Sequence, residues 1–350
     1  MRRILALSFV VLGSCFISTE YVGTGFEVVG EGPGRDAGPV EADAGVCQPG
    51  TRLKGTWRAI PSPTSEELSA IWGTSAQDIW LTSSRSTTVH HWDGTTWSSM
   101  TTPGTTNHGL NDVWGTGAGD VWAVGNNGII NHWNGAKWTA SGAFSPADHF
   151  YRVWGTGPSD VWAAGGEGLM AHWGGTAWSR AAVIGFPDAG QGDGGRPFPP
   201  AIEALWSSSP QDVWAAGYQI FVHLDSDGWS TSMTTNTVLF GMWGSGSNDV
   251  WAVGSGGPTY VAGVMYHWDG IRWSEVAYPS PLYDVWGAGP KGVWAVGHGM
   301  GGATPALHWD GCTWTSVPTN TTRFLSAVWG PGSENVWAVG QEGTILHYSP

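Results

Sequence analysis

An all-β, seven-bladed β-propeller is predicted by the spacing of tryptophan in this 350-residue chain and by the turn-forming text between the tryptophans. Residues 110–139, LNDVWGTGAGDVWAVGNNGIINHWNGAKWT, hold four short runs built on Trp114, Trp122, Trp133 and Trp138, separated by Gly, Asn and Asp. Runs this short, rich in Trp, Val and Ile and bounded by turn formers, are strands; a helix would not carry so many glycines. The unit recurs seven times, with first-strand tryptophans at Trp72, Trp114, Trp154, Trp206, Trp243, Trp286 and Trp329, a period of 37 to 52 residues. The second-strand tryptophans, Trp80, Trp122, Trp162, Trp214, Trp251, Trp294 and Trp337, each follow eight residues later. A four-stranded repeat of this length is the unit of a propeller.

Third strands carry Trp92, Trp133, Trp173, Trp268 and Trp309, and fourth strands carry Trp57, Trp97, Trp138, Trp178, Trp229, Trp273 and Trp314. All 26 tryptophans then fall at repeat positions, so they are expected to pack blade against blade, each able to cover about 150–250 Å². The seventh repeat ends one strand short at Gly343-Thr344-Ile345-Leu346-His347-Tyr348. Its missing text is Lys54-Gly55-Thr56-Trp57-Arg58, so the N-terminal strand is expected to complete the last blade and cover its edge. Two connections keep their length, and two vary: strand two to three, and strand four to the next repeat. Antiparallel order puts the variable pair on one face, as in a scaffold that presents binding loops.

At the N-terminus, Met1-Arg2-Arg3 precedes an apolar run, residues 4–12, and Gly13-Ser14-Cys15. A basic start, a short apolar run and a small-residue site make a secretory signal over residues 1–15, too short to span a membrane as a helix. Leu12-Gly13-Ser14-Cys15 resembles the bacterial lipobox, and that resemblance implies acylation of Cys15 and a lipid-anchored envelope protein; the alternative is ordinary cleavage to a free protein. Residues 16–53, dominated by Gly, Pro, Ala and acids, read as a tether without a site, and residues 54–350 as the propeller. With Cys15 acylated, Cys47 and Cys312 are the remaining thiols, and an exported protein is expected to pair them.

Seven of the 11 histidines, His91, His132, His172, His223, His267, His308 and His347, hold one third-strand position. Repeat-locked residues are most economically structural, bonded to the residue ahead of strand two: Asp78, Asp120, Asp160, Asp212, Asp249 and Asn335, with Gly292 breaking the series. His90, His108, His149 and His298 show no ligand spacing. The loop text Asp188-Ala189-Gly190-Gln191-Gly192-Asp193 is a weak relative of an acidic calcium loop without its alternating ligands or closing Glu, so no metal and no cofactor are expected. No H-E-x-x-H, G-x-S-x-G or Walker loop is present. The net charge of −14, without a basic run, argues against nucleic acid or an anionic membrane surface as ligand.

The turn Trp92-Asp93-Gly94-Thr95-Thr96-Trp97 looks like a degenerate Asp-box of sialidase-like propellers, one residue tighter. The arginine triad that this resemblance would require is not placed by the repeat. Residues 54–350 as a whole resemble the VWAVG-repeat propellers of bacterial surface lipoproteins, a resemblance that implies fold rather than activity. The expected function is a non-catalytic binding or scaffold propeller, a monomer that holds a protein or glycan on the variable face. The longest loops, residues 179–203, 254–264 and 298–306, carry Phe186, Phe198 and Tyr260 among Gly, Ser and Thr, and these aromatics are the expected binding residues; the alternative is that they plug the loops against the disc. The second function considered is a carbohydrate-active enzyme, hydrolase or lyase, with carboxylates at the mouth of the central channel. A convergence there of two carboxylates, or of Arg, His and Tyr, is what distinguishes it.

Overall fold

The repeats fold as the alternation of Trp/Val strands and Gly/Asp turns dictates. The computed structural model describes residues 53–104, 109–181, 200–256, 261–299 and 302–350. In the second repeat the strands are Leu110–Gly117, Asp120–Gly125, Ile130–Trp133 and Trp138–Ala140, paired antiparallel in that order. Trp114 lies opposite Trp122, Trp122 opposite His132, and Trp133 opposite Trp138.

The strands build six blades, not the seven separate four-stranded blades that the repeats predict. Five sheets have four strands, and one has six, carrying the fourth and fifth repeats together. Two long strands cause the fusion. Asp212–Asp225 passes from Trp214 to His223 through a bend at Gln219 (φ 62°), and Gly228–Gly246 carries the end of one repeat straight into the start of the next. Every other connection between repeats contains proline, whereas Thr231-Ser232-Met233-Thr234-Thr235-Asn236-Thr237-Val238 contains neither proline nor glycine. Its β-branched residues suit extended backbone, and nothing in it breaks the ladder.

The ring closes through its two ends. Thr56–Ala59 pairs antiparallel with Ile345–Ser349, placing Trp57 opposite Tyr348, and the Gly55 N–H donates to the Tyr348 hydroxyl at 2.8 Å. Trp57 is 4% exposed.

Neighbouring repeats mesh through the second-strand tryptophan. Trp122 stacks on His132 of its own repeat at 4.1 Å and meets Trp173 and Trp178 of the next at 5.2 and 5.3 Å. Trp80, Trp214 and Trp251 do the same with Trp133/Trp138, Trp268/Trp273 and Trp309/Trp314. In the sixth repeat Trp294 meets Trp57 at 5.4 Å and Tyr348 at 4.8 Å, so the borrowed strand supplies the socket for this wedge.

In five of the repeats one aspartate holds the wedge in place. Asp78 Oδ1 pairs with His91 Nε2 at 2.6 Å, and Oδ2 accepts from the Thr74 hydroxyl at 2.5 Å. Asp120, Asp160, Asp212 and Asp249 repeat both bonds with His132, His172, His223 and His267 and with Thr116, Thr156, Ser208 and Ser245. This double use ties the turn between strands one and two to the third strand in these five repeats. Where Gly292 removes the acid, burial holds His308 neutral, its pKa pushed down to about 4.

Replacing Trp57 with Ala should cost about 3–5 kcal/mol, because it empties the socket of Trp294 at the seam. Urea or thermal unfolding of the variant measures this, and an unchanged midpoint would show that the strand is dispensable.

Candidate functional site

The first strands of all repeats line the central channel, and their tryptophans seal it. Five of the seven rings lie over the glycine that follows the tryptophan of an adjacent repeat: a Cβ on Gly115 would sit 2.8 Å from Trp72, and one on Gly155 2.8 Å from Trp114. The space left among them is about 80 Å³. Above it the channel widens to a mouth of about 470 Å³ at the start of the first strands. That is the face of the variable connections, since the start of a first strand pairs with the end of a second, as Leu110 does with Gly125.

Two positions of the first strand abandon the repeat here. Two residues before the tryptophan stand Ala70, Ala204, Ala327 and Gly241, but also Asp112, Arg152 and Asp284. Three residues before it stand Ser69, Asn111, Tyr151, Glu203, Phe240, Tyr283 and Ser326. A first strand crowded against its neighbours explains the small residues: a Cβ on Gly241 would lie 2.7 Å from the Asp284 Cα.

Asp112, Arg152 and Asp284 form the floor of the mouth. Asp112 Oδ2 accepts from the Val153 N–H at 2.8 Å, and Asp284 Oδ2 from the Val328 N–H at 2.9 Å, so each carboxylate ties its strand to the next repeat. The Arg152 guanidinium reaches across to the Phe240 carbonyl, with Nε at 3.1 Å and Nη2 at 2.6 Å, while Nη1 donates to the Tyr151 carbonyl at 3.1 Å. Desolvation pushes Asp112 up to about 6 and Asp284 up to about 7; the Arg152 charge opposes both, and the Asp112 charge adds to the rise at Asp284.

The walls carry the groups left uncommitted. Ser69 and Asn111 spend their side chains on the Leu110 and Phe150 carbonyls of the following repeats. Phe240, Tyr283 and Phe324 form a continuous aromatic arc, with centroids 5.7 and 5.8 Å apart and rings at 65° and 80°. Glu67, Glu203 and Tyr151 complete the mouth around Arg152. Desolvation raises the pKa of Glu203, against the pull of Arg152, and the same desolvation raises Tyr151 and Tyr283, reinforced by Glu203 and Glu67 respectively.

The residues expected to bind lie elsewhere in the sequence. Phe186, Phe198 and Tyr260 are outside the described residues, in the connections from Trp178–Arg180 to Ile202–Ser209 and from Asp249–Gly256 to Ala262–Trp268; so are Cys15, Cys47 and residues 188–193. Cys312 is described, in the turn whose Asp310 carboxylate accepts the Cys312 N–H at 2.8 Å. The mouth residues escaped the sequence reading because it followed what the repeats share. Their signal was the opposite one: charged and aromatic residues at two positions where other repeats keep Ala, Gly or Ser.

Fold and mouth define a β-propeller with a blind, aromatic and acidic central cavity. Among solved structures, the chain is similar to YCF48 bound to a D1 peptide, at 18% identity and TM-score 0.64, covering 87% of this chain and 100% of that one. It is also similar to virginiamycin B lyase from Staphylococcus aureus, at 12% identity and TM-score 0.68, covering 85% and 100%. The WD40 repeats of RRP9 match at 10% identity and TM-score 0.64, covering 85% and 99%. No protein-family model and no curated protein matches the chain. At these identities the likeness is one of fold.

Asp284 sets a testable pH dependence. Its pKa in the fold, about 7, lies above the ordinary aspartate value of 3.8, so between those limits the folded chain keeps a proton that the unfolded chain has released. The stability this confers is complete below the lower limit and disappears as pH rises through the upper one. Asp284→Asn should therefore raise the melting temperature, relative to wild type, by about 1–3 °C more at pH 8 than at pH 5. Equal differences at the two pH values would contradict the assignment.

Proposed function

We propose that this protein is a non-catalytic binding propeller of the bacterial envelope whose ligand, a protein segment or a glycan, seats in the channel mouth on the variable-loop face. The observation that carries this reading is the mouth itself: a concave site of about 470 Å³ with an aromatic arc on one side and polar groups converging on it. Aromatic rings supply stacking area at little entropic cost, and a floor braced by Arg152, Asp112 and Asp284 holds the site rigid before a ligand arrives. The propeller likeness to YCF48, captured with a peptide, agrees with such a use. Phe186, Phe198 and Tyr260 belong to the rim in this reading, on loops that would select among ligands.

The anchoring scheme is part of the proposal. Cys15 would be acylated after removal of the signal, residues 16–53 would hold the disc off the membrane, and a Cys47–Cys312 bridge would fasten the tether to the ring. The resemblance of residues 54–350 to the VWAVG-repeat surface lipoproteins is what suggests this arrangement. A bridge closing a loop of this size is worth up to about 4–5 kcal/mol in the chain-entropy model. Peptide mass spectrometry of unreduced protein should recover the two cysteines in one cross-linked species, and finding both alkylatable would remove the bridge from the scheme.

A second reading follows from one observation: Glu67 and Glu203 both line the mouth, and desolvation raises Glu203 in the way that suits a general acid. In that case the site is a carbohydrate-active centre, and the propeller likeness to virginiamycin B lyase shows that the scaffold can host chemistry. Asp112 and Asp284 do not serve it, since backbone N–H groups already occupy them. Glycan and peptide arrays, with a screen of polysaccharide turnover, separate the two readings. The double variant Tyr283→Ala/Phe240→Ala should weaken capture of a retained array ligand by about 1–3 kcal/mol at an unchanged melting temperature. Tyr260→Ala/Phe198→Ala should weaken it less. Turnover that Glu203→Gln abolishes would replace binding by catalysis.

A further inference from the structure

Resting on the binding reading above, we infer that the mouth recognises a cationic side chain: a lysine or arginine presented by a protein partner, its stem against the Phe240–Tyr283–Phe324 arc and its head between Glu67 and Glu203. Three observations carry this. Among the described residues neither Glu67 nor Glu203 is paired with a cation or accepts a hydrogen bond, although both are half-buried in the mouth. The one cation among the described residues that line the mouth, Arg152, has donors from all three of its guanidinium nitrogens on the Tyr151 and Phe240 carbonyls and approaches neither glutamate within ion-pair distance. The arc presents tilted and edge-to-face rings, a curved apolar wall rather than the flat platform on which a sugar ring stacks.

The energetics favour a cation over the neutral alternatives. A carboxylate withdrawn from water without a partner destabilises the empty protein, and only a ligand of opposite charge recovers that cost at binding. An ammonium or guanidinium beside aromatic faces gains further from the ring quadrupoles. Anionic ligands meet the same two glutamates as repulsion, and the overall charge of −14 extends that repulsion to the approach. A long side chain also matches the shape of the site, which is open above and closed below by the tryptophan ring.

Randomised nonapeptide pools in which the central residue is lysine, arginine, norleucine or glutamate test this by fluorescence polarisation against the full chain. The lysine and arginine pools should bind about tenfold more tightly than the norleucine pool and lose that advantage at high salt. Glu67→Gln and Glu203→Gln should each remove most of the difference, and circular dichroism controls for folding. Equal binding of the norleucine pool, or preference for glutamate, overturns the cation assignment. If such charge-insensitive binding is still removed by Tyr283→Ala, the binding reading stands while this inference falls. Should no pool bind while a neutral glycan is held at the mouth, the inference also falls; if nothing is held there, both fall.

Discussion

Everything in the ring depends on one wedge, the second-strand tryptophan driven between its own histidine and the tryptophan pair of the next repeat. The aspartate ahead of strand two locks the histidine and the preceding turn together, so the wedge is aimed before it meets its socket. Each aromatic pair adds about 0.5–1.5 kcal/mol beyond the area it buries, and the contact recurs around the disc. The rest of the repeat tolerates change because this contact does not: loops lengthen, a histidine loses its acid at Gly292, and two repeats share a sheet.

Much of this was readable in advance, since period, spacing and turn chemistry are properties of the text. The His–Asp pairs could be anticipated from their constant places, as could the borrowed strand around Trp57. The number of sheets could not be counted that way. Whether two repeats stay separate depends on what lies between them, and residues 231–238 differ from the other connections only in lacking a proline or glycine. A repeat count measures how often a motif was copied; a sheet count measures where pairing stops.

The site was legible to a smaller degree, for a different reason. Loop variability marks the face on which the mouth opens, whereas Phe186, Phe198 and Tyr260 stand between the repeats, outside the described residues. Tyr151, Glu203, Phe240 and Tyr283 stand inside them, at a position whose side chain meets the mouth. A residue in that place looks like drift until the channel is assembled around it. Asp112, Arg152 and Asp284 illustrate the same point from below, for the groups they bond in other repeats are known only once the ring is closed.

The seam between Thr56–Ala59 and Ile345–Ser349 has a further consequence for how the chain reaches its native state. An open array of repeats can nucleate anywhere and fray from its ends, each unit answering only to its neighbours. Here the two ends are each other's neighbours, and the socket of Trp294 stays incomplete until nearly the whole chain has been brought round. The entropy of that closure grows only with the logarithm of the loop length, so it is affordable, but it falls at the last step. Cooperativity in this disc is therefore a property of topology, since a repeat cannot melt from an end that the fold does not have.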